Sequence, residues 1–514
     1  MGLTAHLLAQ TVDVLAYRHY NIFTLTAKES EMKVRLLSVL AVAAALTACG
    51  GGGGLEDTGS VASAAPAGEI TMTPMATTTS VGVQATVRTN GGLISAGQSP
   101  LAVRTRYGFD PLTTPAQQGA GQIIVIISAY DNPNAGADLA KFSAQYGLPG
   151  CPTVATTYVT NAVSGYTDAV VPKPAVGEGC TFQKFNAGTN GRMAVPSAIQ
   201  YDASGVWIAE STMDIEWAHA MAPMAKIVLV QAANNYISSL SGAVKYASNF
   251  ADVVSMSWGA PEAGMAAQPC TTNEFIWDPI CTTLRKTNRS LFGVANPVND
   301  AGVMNYSAGG FDTVMFSNPD VTYIAASGDA GNKPLWPSVS SKVLSVGGTT
   351  SSGTTDTAWS LSGGGVSQYY TSPSWQTTTG SAQRTTPDVA LVADSASALS
   401  VYITPQTAVK DAACVTAKGA AGCGWYAGYG TSISAPQWAG LAAVTNAVRL
   451  QNGKAKTNFT AALYSVAAVQ GNYVVAFSDV ITGNNGNPSK VGYDMVTGLG
   501  VPRASALVGM LAAQ

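Results

Sequence analysis

From position 123 onward, short apolar runs rich in β-branched residues recur along this chain, with helical patterns between them. The runs at 123–127, 226–231, 252–257, 321–326 and 342–346 have the length and composition of strands buried in a parallel sheet. Residues 134–146 place Leu139, Phe142 and Tyr146 at helical spacing and stop at Gly147 and Pro149, and 236–247 reads as a further helix. Strands alternating with amphipathic helices predict an α/β fold, a mostly parallel central sheet flanked by helices.

The chain has 514 residues, and 46% of them are hydrophobic, ample for a large core. Length alone suggests about three domains, though α/β folds often exceed that prior. The net charge is −3 with only 11% charged residues, so there is no basic excess to hold nucleic acid.

Residues 1–31 carry no readable pattern and are taken as an upstream, non-native extension. At Met32 the sequence sharpens: Lys33 and Arg35 precede an apolar run at 36–46, then Leu46-Thr47-Ala48-Cys49. The run is too short to span a membrane and has the charged start of a signal peptide. Its last four residues resemble the bacterial lipobox, so 32–48 is expected to be removed and Cys49 to carry lipid. An ordinary signal peptide followed by an unrelated cysteine is the plainer alternative. Gly50, where an aspartate would mark inner-membrane retention, points by the lipoprotein rule to the outer membrane or cell surface, with the periplasm open. Residues 49–100 are rich in Gly, Ser, Ala and Thr and read as a flexible tether, within which 70–87 could hold a short strand or two.

Toward the C-terminus, Gly428-Tyr429-Gly430-Thr431-Ser432-Ile433-Ser434-Ala435-Pro436 delivers a serine to the mouth of an apolar segment, 435–450, that reads as a buried helix. Unpaired N–H groups at a helix start favour a developing negative charge, a suitable setting for a nucleophilic hydroxyl. Alone, the Thr-Ser pair is as well explained as a helix cap. A serine nucleophile needs a base, and the chain has only three histidines: His6, His19 and His219. The last belongs to a helical stretch, 207–219. At about 100° per residue, Glu210 and Asp214 fall about 40° apart on one face, and His219 stands about 140° round from Asp214. Two carboxylates four apart usually make a solvated helix face, yet like charges at that spacing repel mildly.

The pair Glu210/Asp214 before the Ala-Pro-x-Ala-Lys-Ile strand, with the later Gly-Thr-Ser-x-x-x-Pro, resembles the sedolisins, the serine-carboxyl peptidases. The likeness continues through 253–259, Pro261-Glu262, Ala325-Ala326-Ser327-Gly328-Asp329-Ala330-Gly331, Ser345-Val346-Gly347-Gly348-Thr349, Gly363-Gly364-Gly365 and Pro387-Asp388-Val389, in the family's order and across roughly 100–510. It implies a subtilisin-like, three-layer peptidase domain over 101–514. It further implies Ser432 as nucleophile, Glu210 as its base, Asp214 supporting Glu210, and Asp329 where subtilisins place the oxyanion asparagine. By itself Asp329 would pass for a turn residue. Sedolisins carry a long folded pro-segment, and about 50 residues of tether leave no room for one, so the likeness does not extend to self-activation.

Near the end, Phe477-Ser478-Asp479-Val480 and residues 490–500 resemble the family's calcium loop. The resemblance implies one Ca2+ held by the carboxylates of Asp479 and Asp494 and the carbonyls of Val480, Lys490 and Gly492; without it, two turn aspartates would suffice. Six cysteines remain after Cys49, and sequence neighbours suggest Cys151–Cys180, Cys270–Cys281 and Cys414–Cys423, as in an oxidising compartment. Zinc competes weakly, for no Cys-x-x-Cys is present.

The expected activity is hydrolysis of polypeptides by a monomer through an acyl-enzyme on Ser432. An oxyanion donor at Asp329 must be protonated, and carboxylic acids ordinarily titrate near ~4.3, so the chemistry should be acid-active. A catalytically dead surface lipoprotein that binds a partner, and a neutral subtilisin-type protease using His219, are the two alternatives.

Overall fold

The computed structural model describes residues 71–75, 77–80 (backbone only), 97–162, 165–188, 194–202, 205–262, 312, 315–404 and 423–514. The expected extension, signal peptide and Cys49, and the cysteines at 270, 281 and 414, lie outside the described residues. Among the described residues no helix is long and apolar enough to cross a membrane.

In chain order the elements that position the site are β1 (Thr73–Pro74), β2 (Thr77–Ser80), β3 (Ile123–Ala129), α1 (Ala135–Tyr146), β4 (Phe182–Ala187), α2 (Val206–Met221) and β5 (Lys226–Ala232). There follow α3 (Ile237–Ala247), β6 (Val253–Met256), β7 (Trp258–Pro261), β8 (Thr322–Ala326), β9 (Leu335–Trp336), β10 (Val343–Ser352), β11 (Val389–Val392), β12 (Leu399–Tyr402), β13 (Trp425–Tyr429) and α4 (Thr431–Gln451). The central sheet runs β10-β8-β6-β3-β5-β4, every neighbour parallel, and β11 joins the later part of β10 in the same sense.

Why these strands are apolar on both faces follows from their layering. Ile124 and Ile126 of β3, with Ile227 and Leu229 of β5, join the core that holds α1, α2 and α4. Their neighbours Ile123, Val125, Ile127, Val228 and Val230 join a second core with α3. Alternate side chains leave a strand in opposite directions, so a sheet covered by helices on both sides has no polar face. This is the three-layer α/β architecture expected from the sequence.

Helix α2 packs closely on α4, and a glycine makes that approach possible. A Cβ added at Gly440 would stand 2.5 Å from Met221 Cβ and 3.3 Å from the carbonyl oxygen of Ala218. Any side chain there would push apart the helix of Glu210 and Asp214 and the helix of Ser432.

Cys151 and Cys180 form a disulfide, as expected, and Cys423 is disulfide-bonded as well. The stretch read as a tether holds two strands among its described residues, one of the possibilities its β-branched residues left open. β1 lies antiparallel on β7 and β2 antiparallel on β13.

Candidate active site

Helix α4 begins at Thr431, directly after β13, and Ser432 is its second residue, fully buried. The first turn is unusual because Pro436 lies inside the helix. Proline has no N–H, so the carbonyl oxygen four residues back, that of Ser432, loses its helical donor. That oxygen instead lies 3.2 Å from Ser257 Oγ. The spacing between serine and proline in the motif therefore opens the backbone at the nucleophile toward the β6–β7 junction.

Ser257 is the link between elements. Its Oγ also lies 2.7 Å from Asp214 Oδ1, and its carbonyl oxygen accepts from Ser432 Oγ at 3.3 Å. One hydroxyl has one proton and cannot donate to two oxygens at once. Both short contacts are satisfied when Asp214 is protonated and donates to Ser257 Oγ, which in turn donates to the Ser432 carbonyl. Burial pushes the Asp214 carboxyl well above its ordinary range, with the Ser257 contact pulling the other way, so the electrostatics favour the same protonation state. Glu210 lies one turn before Asp214 on α2 and is 1% exposed. The solvated-face reading of this pair is thus excluded: both carboxyls point into the protein.

Asp329 follows β8 in the Ser-Gly-Asp turn. Its Oδ1 accepts from both the backbone N–H and the hydroxyl of Thr431, each at 2.8 Å, and Thr431 Oγ1 accepts from Gly328 N at 3.1 Å. With Oδ1 committed, a proton held by this carboxyl resides on Oδ2. Burial raises the group to about 7, against the opposing pull of the two Thr431 bonds. The glycine triplet at 363–365 serves this turn: Gly363 N–H donates to the Gly328 carbonyl at 2.6 Å, and a Cβ on Gly363 would stand 2.1 Å from the Ser327 carbonyl oxygen. Asp388, by contrast, is structural. Its carboxylate is gripped by Arg384 through two 2.6 Å bonds, inside the core.

His219 is not part of this cluster. Its Nε2 lies 2.9 Å from the Pro149 carbonyl oxygen, beside the Cys151–Cys180 disulfide, and burial lowers its pKa to about 4. Asp131, the aspartate after β3, pairs with Lys184 instead. The imidazole that a neutral triad would need is therefore elsewhere, among the described residues. The His219, Cys151 and Cys180 grouping offers no zinc site either, because both sulfurs are tied to each other.

With this geometry in view, the chain can be set beside known proteins. The profile of the Subtilase family, Peptidase_S8, matches residues 203–493, more than half of the sequence. The chain belongs to the subtilase family. Within that family it is similar to kumamolisin of Bacillus sp. (strain MN-32), 28% identical over 332 residues covering 57% of this chain and 49% of that protein. The subtilase described here thus spans about half the length of that curated relative. Among solved structures it resembles Pseudomonas sedolisin, a serine-carboxyl proteinase, complexed with pseudo-iodotyrostatin, with a TM-score of 0.55 and 20% identity. That match covers 82% of this chain and 99% of the other, and it establishes the shared fold. Together these show a subtilase-family domain with the subtilisin-like fold.

Two residues of this subtilase's site were not singled out from sequence. Ser257 was visible only as part of the run at 253–259 that continues the likeness, and Thr431 only as a possible cap. The proline four residues after the serine was the available signal for Ser257, since it announces a carbonyl in need of a partner.

The C-terminal loop presents the donor set a hard cation needs. Asp479 Oδ2 accepts from Gly492 N at 2.8 Å, which ties the loop's two halves together. The Tyr473 hydroxyl also interacts with the Asp479 carboxyl, and the carbonyls of Val480, Lys490 and Gly492 accept no backbone hydrogen bond among the described residues. Asp494 accepts from Val496 N and Thr497 N at 2.9 and 2.8 Å and from Lys490 N at 3.2 Å. Oxygens left over in one loop suit Ca2+ rather than a softer metal.

Proposed function

We propose that the protein is an acid-active serine-carboxyl peptidase that hydrolyses polypeptides. The observation that carries this reading is the pair of carboxyls tied to the start of α4, Asp214 through Ser257 and Asp329 through Thr431, with no imidazole beside them among the described residues. In the proposed reaction Ser432 Oγ attacks the substrate carbonyl while Glu210 takes its proton. Asp214 holds its own proton and steadies Glu210. Asp329 donates from Oδ2 to the oxyanion of the tetrahedral intermediate. Glu210 then returns the proton to the leaving amine, and water resolves the acyl-enzyme by the same path.

The pH dependence follows from the sign of the shifts. A raised carboxyl keeps its proton to higher pH, and above about 7 Asp329 becomes an anion facing the charge it should stabilise. The rate against an unfolded protein substrate is therefore expected to be highest on the acid side and to fall as pH rises through about 7. An optimum near pH ~8 would overturn the mechanism, since carboxyl donors are ionised there. No hydrolysis at any pH would return the protein to the binding-scaffold reading.

We further propose that one Ca2+ occupies the C-terminal loop through Asp479, Asp494, Val480, Lys490 and Gly492. Its role is to hold the loop. Added calcium should raise the melting temperature, by the equivalent of about 2.7 kcal/mol at a hundredfold excess over its Kd. Asp479→Asn should abolish the calcium dependence, read by thermal denaturation with and without chelator. A melting temperature indifferent to calcium would remove the site.

A further inference from the structure

The contact of Gly440 with Met221 and Ala218 holds the C-terminal end of α2 against α4. Glu210 lies in the second turn of α2, about 12 Å along the axis from Ala218. The grip on that end of the helix comes from Asn132, in the turn after β3. Its side chain is 1% exposed, and Nδ2 donates to Ser211 Oγ and to Thr212 Oγ1, each at 2.9 Å. Those two bonds use both amide protons. The Ile208 carbonyl oxygen, 3.4 Å from Nδ2, is served instead by Ser211 Oγ at 3.2 Å.

The turn that presents Asn132 is itself pinned. Tyr130 has a φ of 61°, a left-handed conformation that is rare for a bulky residue and persists only where its surroundings dictate it. Its N–H donates to the Ala232 carbonyl and its own carbonyl accepts from Gln231 Nε2, both at 2.8 Å and both at the end of β5. Lys184 Nζ donates to Asp131 Oδ1 and to the Asn132 carbonyl, again at 2.8 Å.

We propose that Asn132 is a positioning residue for the reaction, setting the rotation of α2 about its own axis and with it the reach of Glu210 toward Ser432. The inference rests on the peptidase reading above and adds to it the group that aims the base. Ser211 and Thr212 stand about 100° and 200° round the helix from Glu210, so their bonds hold α2 from the sides away from that carboxyl. A twist that carried Glu210 off its target would have to break them. Side-chain ends lie about 5–6 Å from a helix axis, where a twist of about 20° displaces them by about 2 Å. Misplacement by about 1 Å can cost about a hundredfold in rate. An amide suits the position because it orients without adding charge; the charged groups of the same turn, Asp131 and Lys184, are paired with each other.

Steady-state kinetics of the full chain on a peptide substrate, taken across pH and beside thermal denaturation, test this. Asn132→Ala is expected to lower kcat about 10–100-fold with KM within about twofold. Thr212→Val removes one partner, keeps the side chain's shape and should lower kcat in the same sense. In the Asn132→Ala background it should add nothing, because that bond is already gone. Asn132→Asp lets both hydroxyls turn and donate, so kcat should recover. A carboxylate there also disfavours a second negative charge on Glu210, so the acid limb of the pH–rate profile should move upward by roughly a unit. Ser434→Ala, which should lower stability and keep turnover, is the control for a merely structural effect.

A loss of kcat in Asn132→Ala that Asn132→Asp restores, with its acid limb displaced, upholds the inference. Full kcat in Asn132→Ala overturns it, as does a loss that Ser434→Ala reproduces at a similar melting temperature. So does a loss that Asn132→Asp fails to restore, or restores with the acid limb unmoved. In each of these cases the peptidase reading stands. Should Asn132→Ala fail to fold, Thr212→Val and Asn132→Asp decide by the same readouts. An unmodified protein that hydrolyses nothing removes the peptidase reading, and this inference with it.

Discussion

Ser432→Ala is expected to remove peptide hydrolysis almost completely, with a loss in kcat of about a million-fold, as for other serine nucleophiles acting with a base. The change should leave the protein folded. Only one atom is lost, and the bond it made, to the Ser257 carbonyl at 3.3 Å, is long. A net contribution of about 1 kcal/mol is the most such a bond carries. Ser434, two residues on, is the control. It too is fully buried, but its Oγ lies 3.1 and 3.0 Å from the carbonyl oxygens of Leu391 and Val392 on β11 and donates its one proton to this pair. Ser434→Ala should cost stability and retain turnover. Steady-state kinetics on a peptide substrate beside thermal denaturation separates the two, and an active Ser432→Ala protein would refute the assignment outright.

Asp329 gives the second large effect, and two substitutions divide its roles. Asp329→Ala removes the oxyanion donor and is expected to lower kcat by about 10²–10³, or ~2.7–4 kcal/mol of barrier. Asp329→Asn should do something different. The amide oxygen can accept both Thr431 bonds now made to Oδ1, and the amide N–H₂ donates without titrating. The fall in rate near pH 7 should then disappear or move to higher pH. Stability follows the same linkage. Because the folded-state value is raised from 3.8 to about 7, the protonated carboxyl favours the folded protein fully below the ordinary value, and that advantage is lost as pH rises through about 7. Asp329→Asn should flatten this dependence. A pH–rate profile unchanged in the asparagine variant would show that another group sets the limb.

Much of this architecture could be read from the sequence, for reasons that are local. Runs such as 123–127 and 226–231 announce buried strands because both of their faces meet helices. The four-residue spacing of Glu210 and Asp214 puts them on one side of α2 by helix geometry alone. What sequence did not disclose depends on partners far along the chain. Thr73 pairs with Gly259 and Thr77 with Tyr429, and no pattern in a Thr- and Met-containing stretch reveals a match so distant. Ser257 was hidden for the same reason. Its importance comes from the oxygens of residues 214 and 432, which only the packing of α2 on α4 brings to one hydroxyl. His219 is the converse case: helical phase already turned it from the acidic pair, and the structure supplies the partner it turns toward.

The proline at position 436 has a wider consequence. A ring that cannot complete the helical ladder obliges the main chain at the nucleophile to borrow its partner from another strand, and that lender also serves an acid on a neighbouring helix. Titrating one side chain is therefore felt as a tug on the backbone that aims another. In such an arrangement acidity reaches past the reacting groups to the posture of the attacking residue, so loss of a proton from α2 would slacken the aim of the serine as well as its chemistry.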